Sequence, residues 1–189
     1  LSVLDMLCLV ILIVIQTLAA MKMSVLNKLL EQRAYTDAHT GLPNKDACEV
    51  LLNNKETVAK HTACMMFDLN NLKIINDTKG HSKGDQLILN FARLLRNVIP
   101  QKDFVGRYGG DEFMVVIYNT SKTEIEDILK QLSREKDRLN SSGNNMPIDY
   151  ACGWAISDAD SECTIQMLLD KADYYMYENK QAYKKSKKS

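Results

Sequence analysis

Two runs, DFVGRY and EFMVVIY, close on the paired glycines Gly109 and Gly110 within residues 103–118. Apolar and β-branched residues on both sides of a Gly-Gly pair predict a β-hairpin whose turn uses the positive φ that glycine tolerates. A hairpin commits the chain to an antiparallel sheet and sets Asp111 and Glu112 at that sheet's end. TACMMFDL, residues 62–69, is a short apolar run followed by turn formers; it predicts a buried strand ending at Asp68, and IDYACGWAI predicts another. Helical spacing marks DACEVLLNNKETVAK, capped by Asn44, and residues 84–98, with Leu87, Ile88, Phe91, Leu94 and Leu95 on one face. It also marks SKTEIEDILKQLSREKDRLNSS behind a Ser or Thr cap, and TIQMLLDKADYYMYENKQAYKK, striped by Met167, Leu168, Ala172, Tyr175 and Met176. Strand, helix, strand, strand, helix, strand is the order of a ferredoxin-like βαββαβ antiparallel sheet, so an α+β fold with flanking helices is expected. There the first strand lies beside the hairpin, which brings Asp68 and Asp111 to one edge.

The beginning of the chain differs from the rest. LSVLDMLCLVILIVIQTLAAM, residues 1–21, is interrupted only by Ser2, Asp5, Gln16 and Thr17. Such a run spans a hydrocarbon core of about 30 Å, so this N-terminal hydrophobic helix is expected to cross a membrane. Lys22, Lys28 and Arg33 follow it, which would hold the downstream domain on the cytoplasmic side of the inner membrane. Residues 22–35 read as an amphipathic connector helix, with Val25, Leu26, Leu29 and Leu30 at helical spacing. The alternative is a buried or coiled-coil signalling helix, because Asp5 is costly in lipid. Gly41 and Pro43 in TDAHTGLPNK mark the boundary, and residues 36–189 form the main domain. The start at Leu1 suggests further residues ahead. Lysine plus arginine equals aspartate plus glutamate at 24 each, so no global field points to nucleic acid. Five cysteines with no C-x-x-C pair read as small buried thiols rather than a disulfide or zinc framework.

Two carboxylates at one sheet edge repel unless a cation sits between them, and hard oxygen ligands suit Mg²⁺ with phosphate completing its shell. The glycines leave room for a nucleotide against the backbone. A lone GGDE would be an ordinary turn with solvated acids. Here RYGGDEF stands in order with DAHTGLPNK at 37–45, FDLNNLKIINDTKGHSKGD at 67–85 and KADYYMYENK at 171–180. Together these resemble the GGDEF family of diguanylate cyclases, which condense two GTP into cyclic di-GMP, over residues 36 to about 184. The resemblance implies a fold like that of nucleotide cyclases and polymerase palms. It implies that Asp68, Asp111 and the Leu69 carbonyl bind Mg²⁺, for which Mn²⁺ can substitute. Glu112 would serve metal binding and activation of the attacking hydroxyl. Asn76 and Asp85 correspond to the guanine-reading pair, Asn71 and Leu72 to backbone amides for the phosphates, and Lys73 to a positive charge there. Lys180 and Lys184 match two basic phosphate contacts, and their spacing of four puts both on one helical face. A symmetric product implies a homodimer, one GTP per domain. His81, in the stretch GHSKGD, reads as a structural loop residue.

Some positions depart from the family pattern. Asn70 stands where a second aspartate is frequent and Leu72 where phenylalanine is frequent, which is expected to weaken Mg²⁺ affinity without abolishing it. His39 and Lys45 replace a leucine and an arginine at the domain's entry, and Tyr183 and Lys184 replace a glycine and an arginine. The family's inhibitory product site, R-x-x-D, here reads PQKD at 100–103, so Pro100 offers no guanidinium, Asp103 stands alone and no product inhibition is expected. Two other readings stay open: a catalytically silent GGDEF module that binds GTP and acts in regulation, and a cyclase making cyclic AMP or cyclic GMP, which the guanine pair disfavours.

Overall fold

The computed structural model describes residues 2–143, 146–157 and 162–186. The chain divides into two compact units, Leu1–Thr36 and Asp37–Ser189. The first is a single helix, α1 (Val3–Tyr35), started by a capping box: Ser2 Oγ accepts the Asp5 N–H and Asp5 Oδ2 accepts the Ser2 N–H. Asp5 is therefore spent at the helix start. At 33 residues α1 is about 50 Å long, more than one hydrocarbon core requires. None of its residues is buried, and it is the one described helix long and apolar enough to cross a membrane. That much exposed apolar surface calls for lipid or a partner to cover it.

The second unit has the order α2 (Lys45–Leu52), β1 (Ala63–Leu69), α3 (Leu72–Lys79), α4 (His81–Val98), β2 (Phe104–Arg107), β3 (Glu112–Ile117), α5 (Lys122–Ser141), β4 (Tyr150–Ile156) and α6 (Ile165–Ser186). The four strands lie in the order β2-β3-β1-β4 with every pairing antiparallel, the ferredoxin-like arrangement expected, with flanking helices. Strand alternation divides the core between the two faces of the sheet. Met65, Phe67, Phe113 and Val115 pack with α4 and α5, where Phe67, Phe91, Phe113 and Tyr150 form an aromatic cluster with ring centroids 5.0–5.9 Å apart. Cys64, Met66, Met114 and Val116 pack with α2 and α6 on the other face. Burial pushes the Cys48 and Cys64 thiols up to about 12, which makes them inert packing groups at neutral pH.

Several local expectations need correction. A further helix stands before the one expected from residue 84: Asn71 turns the chain at φ 64° and starts α3, and Gly80 at φ 84° separates it from α4, which begins at His81. His81 therefore opens a helix rather than lying in a loop. The helix begun at Asn44, which does cap it by accepting the Ala47 N–H, ends at Leu52 rather than continuing to residue 60. There Asn54 Oδ1 accepts the Glu56 N–H, a local turn that competes with helix. In α6 the buried stripe is Leu168, Leu169, Ala172 and Met176, while Met167 and Tyr175 are exposed.

Candidate active site

The register of β1 against β3 builds the site. Phe67 pairs with Phe113 and Asp68 with Glu112, so the two acids share the sheet face that carries Met66 and Met114. One residue on, the Leu69 N–H donates to the Asp111 carbonyl at 2.9 Å, while the Tyr108 and Gly109 N–H groups both donate to the Glu112 carbonyl. Asp68, Leu69, Asp111 and Glu112 thus close one corner of the sheet. The glycines work differently from the expectation, because neither has a positive φ. A Cβ on Gly109 would lie 2.6 Å from Glu112 Oε2, so glycine leaves the carboxylate room to lie against the backbone, and a larger residue there would push the Glu112 side chain aside. The Gly110 carbonyl accepts from Arg107 Nη2 at 2.8 Å. Arg107 also pairs with Asp37 at 3.2 Å, tying the signature turn to the domain's entry loop.

Helix α6 supplies the cationic side. Gly153, opposite Met66, lies under the Ala172 carbonyl and the Met176 N–H so closely that a Cβ there would collide with both. The helix thus rests directly on the sheet, and Lys180, one turn beyond Met176, reaches Asp68 Oδ2 at 2.6 Å. Asp68 is 5% exposed, and its other oxygen, Oδ1, is buried with no hydrogen-bond partner. Among the described residues no three His, Cys, Asp or Glu side chains form a ready-made metal cluster. Mg²⁺ does not require one, since it commonly takes one or two carboxylates plus substrate phosphates. A buried carboxylate oxygen lacking a donor, beside further acids, fits a hard divalent ion.

Burial raises the Glu112 carboxyl above its ordinary value, and the charges of Asp111, Asp68 and Asp173 add to this against the opposing Lys180. A folded state that holds this proton more tightly than the unfolded chain loses stability as pH rises from the ordinary glutamate value through the raised one. Glu112→Gln removes that cost. The variant is expected to melt about 1–2 °C above the parent at neutral pH, with the difference disappearing below the ordinary glutamate range. Thermal melts across pH check both the sign and the window.

A cavity of about 310 Å³ opens beside this corner. Leu69 and Asp111 line it from the strand ends, Asn71, Leu72 and Lys73 from the start of α3, and Lys180 and Lys184 from α6. Leu72 and Lys73 lie in the first turn of α3, where backbone N–H groups have no intrahelical acceptor and no side chain caps them. Such a terminus favours an anion, and three lysines share the cavity. Sequence reasoning missed Ile74 as a wall residue, and it named Asn70 and Tyr183 only as departures. Asn70 is buried, its N–H donates to the Asp149 carbonyl, and its Nδ2 has no partner. Asn76 and Asp85 do not line the cavity. Both lie at the α3–α4 junction, where the Asn76 amide lies so close against Gly84 that a Cβ there would displace it. His39, given no role from sequence, donates from Nε2 to the Asp85 carbonyl at 3.0 Å. A larger cavity, about 810 Å³, runs between the free edge of β4 and α6, and none of the site residues named from sequence lines it.

Residues 34–186 match the family described as diguanylate cyclase, GGDEF domain. The chain is 30% identical over 165 residues to the diguanylate cyclase DgcP of Escherichia coli, a match covering 85% of this chain and 48% of that protein. It is 32% identical over 146 residues to the cyclic di-GMP phosphodiesterase PdeB of Shewanella oneidensis, covering 76% of this chain and 17% of that one. The chain thus spans less than half the length of either relative. The coiled-coil and GGDEF domain of DgcB from Caulobacter crescentus, solved in complex with c-di-GMP, superposes with a TM-score of 0.76 at 22% identity, over 90% of this chain and 93% of that one. With its sheet order, its signature corner and a family match over most of its length, the chain belongs to the GGDEF-domain family of diguanylate cyclases.

Proposed function

We propose that the chain is an active diguanylate cyclase, joining two GTP into cyclic di-GMP with release of two pyrophosphates. One observation carries this reading: Asp111 and three lysines line a single cavity at the sheet corner, where Asp68 keeps a buried oxygen without a donor. Mg²⁺ would be held by Asp68, Asp111 and the Leu69 carbonyl with Glu112 beside it, and would supply neutralisation of the triphosphate's charge. Lys73, Lys180 and Lys184 bind the phosphates, and the amides at the start of α3 receive their oxygens. Asn76 and Asp85 read the guanine edge from the α3–α4 junction, which sets GTP apart from ATP. In each half-reaction a 3′-hydroxyl attacks the α-phosphorus of the other nucleotide, the bond to pyrophosphate breaks, and the hydroxyl proton passes to Glu112 and on to solvent.

Each domain carries one GTP, so two domains must face one another about a twofold axis. A membrane-crossing α1 at the inner membrane would hold two such domains together on the cytoplasmic side. Asp103 is buried and accepts the Tyr118 N–H, and Pro100 offers no cation, so product inhibition at that position is not expected. The second reading, a silent GTP-binding regulatory module, draws on Asn70, whose amide stands among the metal-side residues in place of a carboxylate. Incubating the purified full chain with GTP and Mg²⁺ and resolving the nucleotides by chromatography separates the two. Cyclic di-GMP formed from GTP, with ATP left unconverted under the same conditions, is the expected result, and GTP bound but unconverted would establish the silent module.

A further inference from the structure

Lys180 belongs to the lysines of the cavity, yet its ammonium is engaged elsewhere, 2.6 Å from Asp68 Oδ2. The pair is well sheltered, with side-chain exposures of 26% for the lysine and 7% for the aspartate. A carboxylate so far removed from water requires a cation, and the nucleotide-free chain supplies its own. The contact follows from the packing of α6 on Gly153, which fixes where Lys180 starts and how far it must reach. An ammonium and a divalent ion on the same carboxylate would repel one another strongly in this partly desolvated corner. The lysine's partial exposure leaves it free to swing, and the cavity it lines gives it a second destination.

We infer that Lys180 is the resident counter-ion of the metal position, holding Asp68 until a triphosphate draws it away, so that divalent ion and nucleotide load together. This rests on the proposed reading of the corner as a GTP- and Mg²⁺-binding site. It adds that the bare chain resists the ion and that Lys180 sets the coupling between ion and nucleotide. Coupling of this kind is reciprocal: whatever factor the nucleotide adds to ion affinity, the ion adds to nucleotide affinity.

The test uses the full chain in detergent micelles, Mn²⁺ as the divalent probe followed by electron paramagnetic resonance, and a GTP analogue with a methylene bridge between its α- and β-phosphates. Lys180→Met is expected to bind Mn²⁺ without nucleotide about tenfold tighter than the parent, within the usual span of coupling factors. Lys180→Arg, which keeps a cation on Asp68, should stay near the parent. Nucleotide-free Mn²⁺ affinity that is unchanged or weaker in Lys180→Met overturns the inference. A lysine that did not contact Asp68 would act on the ion only at longer range, and its removal would raise nucleotide-free Mn²⁺ affinity far less. Should Lys180→Met fail to fold, the Lys180 ammonium signal in nitrogen-15 NMR of the parent decides: it should shift when the analogue and Mg²⁺ are added, and an unchanged signal overturns the inference. If the parent binds no Mn²⁺ even with the analogue present, the proposed function fails instead, an outcome distinguishable from failure of the lysine's role.

Discussion

Asp111→Ala is expected to lower cyclic di-GMP formation by about 10³-fold or more, equivalent to about 4 kcal/mol of transition-state stabilisation. Asp111 lines the cavity where the phosphates would lie and is one of the two carboxylates proposed to share a divalent ion. The fold should not suffer. It is the backbone carbonyl of Asp111 that accepts the Leu69 N–H, and alanine keeps that bond. Removing the charge also relieves the repulsion that helps raise the Glu112 carboxyl. The variant should therefore melt at or slightly above the parent temperature while losing activity and Mn²⁺ affinity together. Retention of more than a tenth of the parent rate would remove Asp111 from the metal position and, with it, the proposed chemistry.

The second large effect is structural. Gly153→Val should destabilise the domain by about 2–3 kcal/mol, the upper part of the usual range for overpacking. A Cβ at this position collides with the backbone of α6 at Ala172 and Met176, and backbone cannot rotate out of the way as a side-chain tip can. Relief requires α6 to lift from β4, and Lys180 then withdraws from Asp68. A Tm loss of about 6 °C or more is expected, along with weaker GTP binding in the molecules that remain folded. Trp154, the single tryptophan of the chain and the next residue in β4, should report the displacement by its fluorescence. A valine variant that melts within about 1 °C of the parent would mean that the close seating of α6 is not what positions Lys180.

Much of this was legible in the order of residues. A run of apolar residues such as TACMMFDL can be satisfied in few ways, and paired glycines between two such runs leave a hairpin as the natural solution. Patterning of this kind acts locally, so it survives the absence of any coordinates; the four strands and their order follow from it together with the few permitted connections. The Ser121 capping box that opens α5 and the Asn44 cap of α2 are local in the same way.

What stayed hidden depends on approach between distant segments. Gly153 looks like any small residue in a strand until α6 is laid across it. The 112 residues separating Asp68 from Lys180 give no hint that the two would bond. His39 finds the Asp85 carbonyl only because the entry loop folds back over α4, and what Gly109 makes room for is a carboxylate three residues on. The amino-acid order determined the strands, the longer helices, the sheet order and which acids would stand at its corner, because hydrophobic period and turn chemistry are properties of neighbouring residues. Tertiary structure alone decided which cation faces those acids and which cavity gathers the lysines, because an ångström of clearance between a helix and a sheet is set by packing across the whole domain.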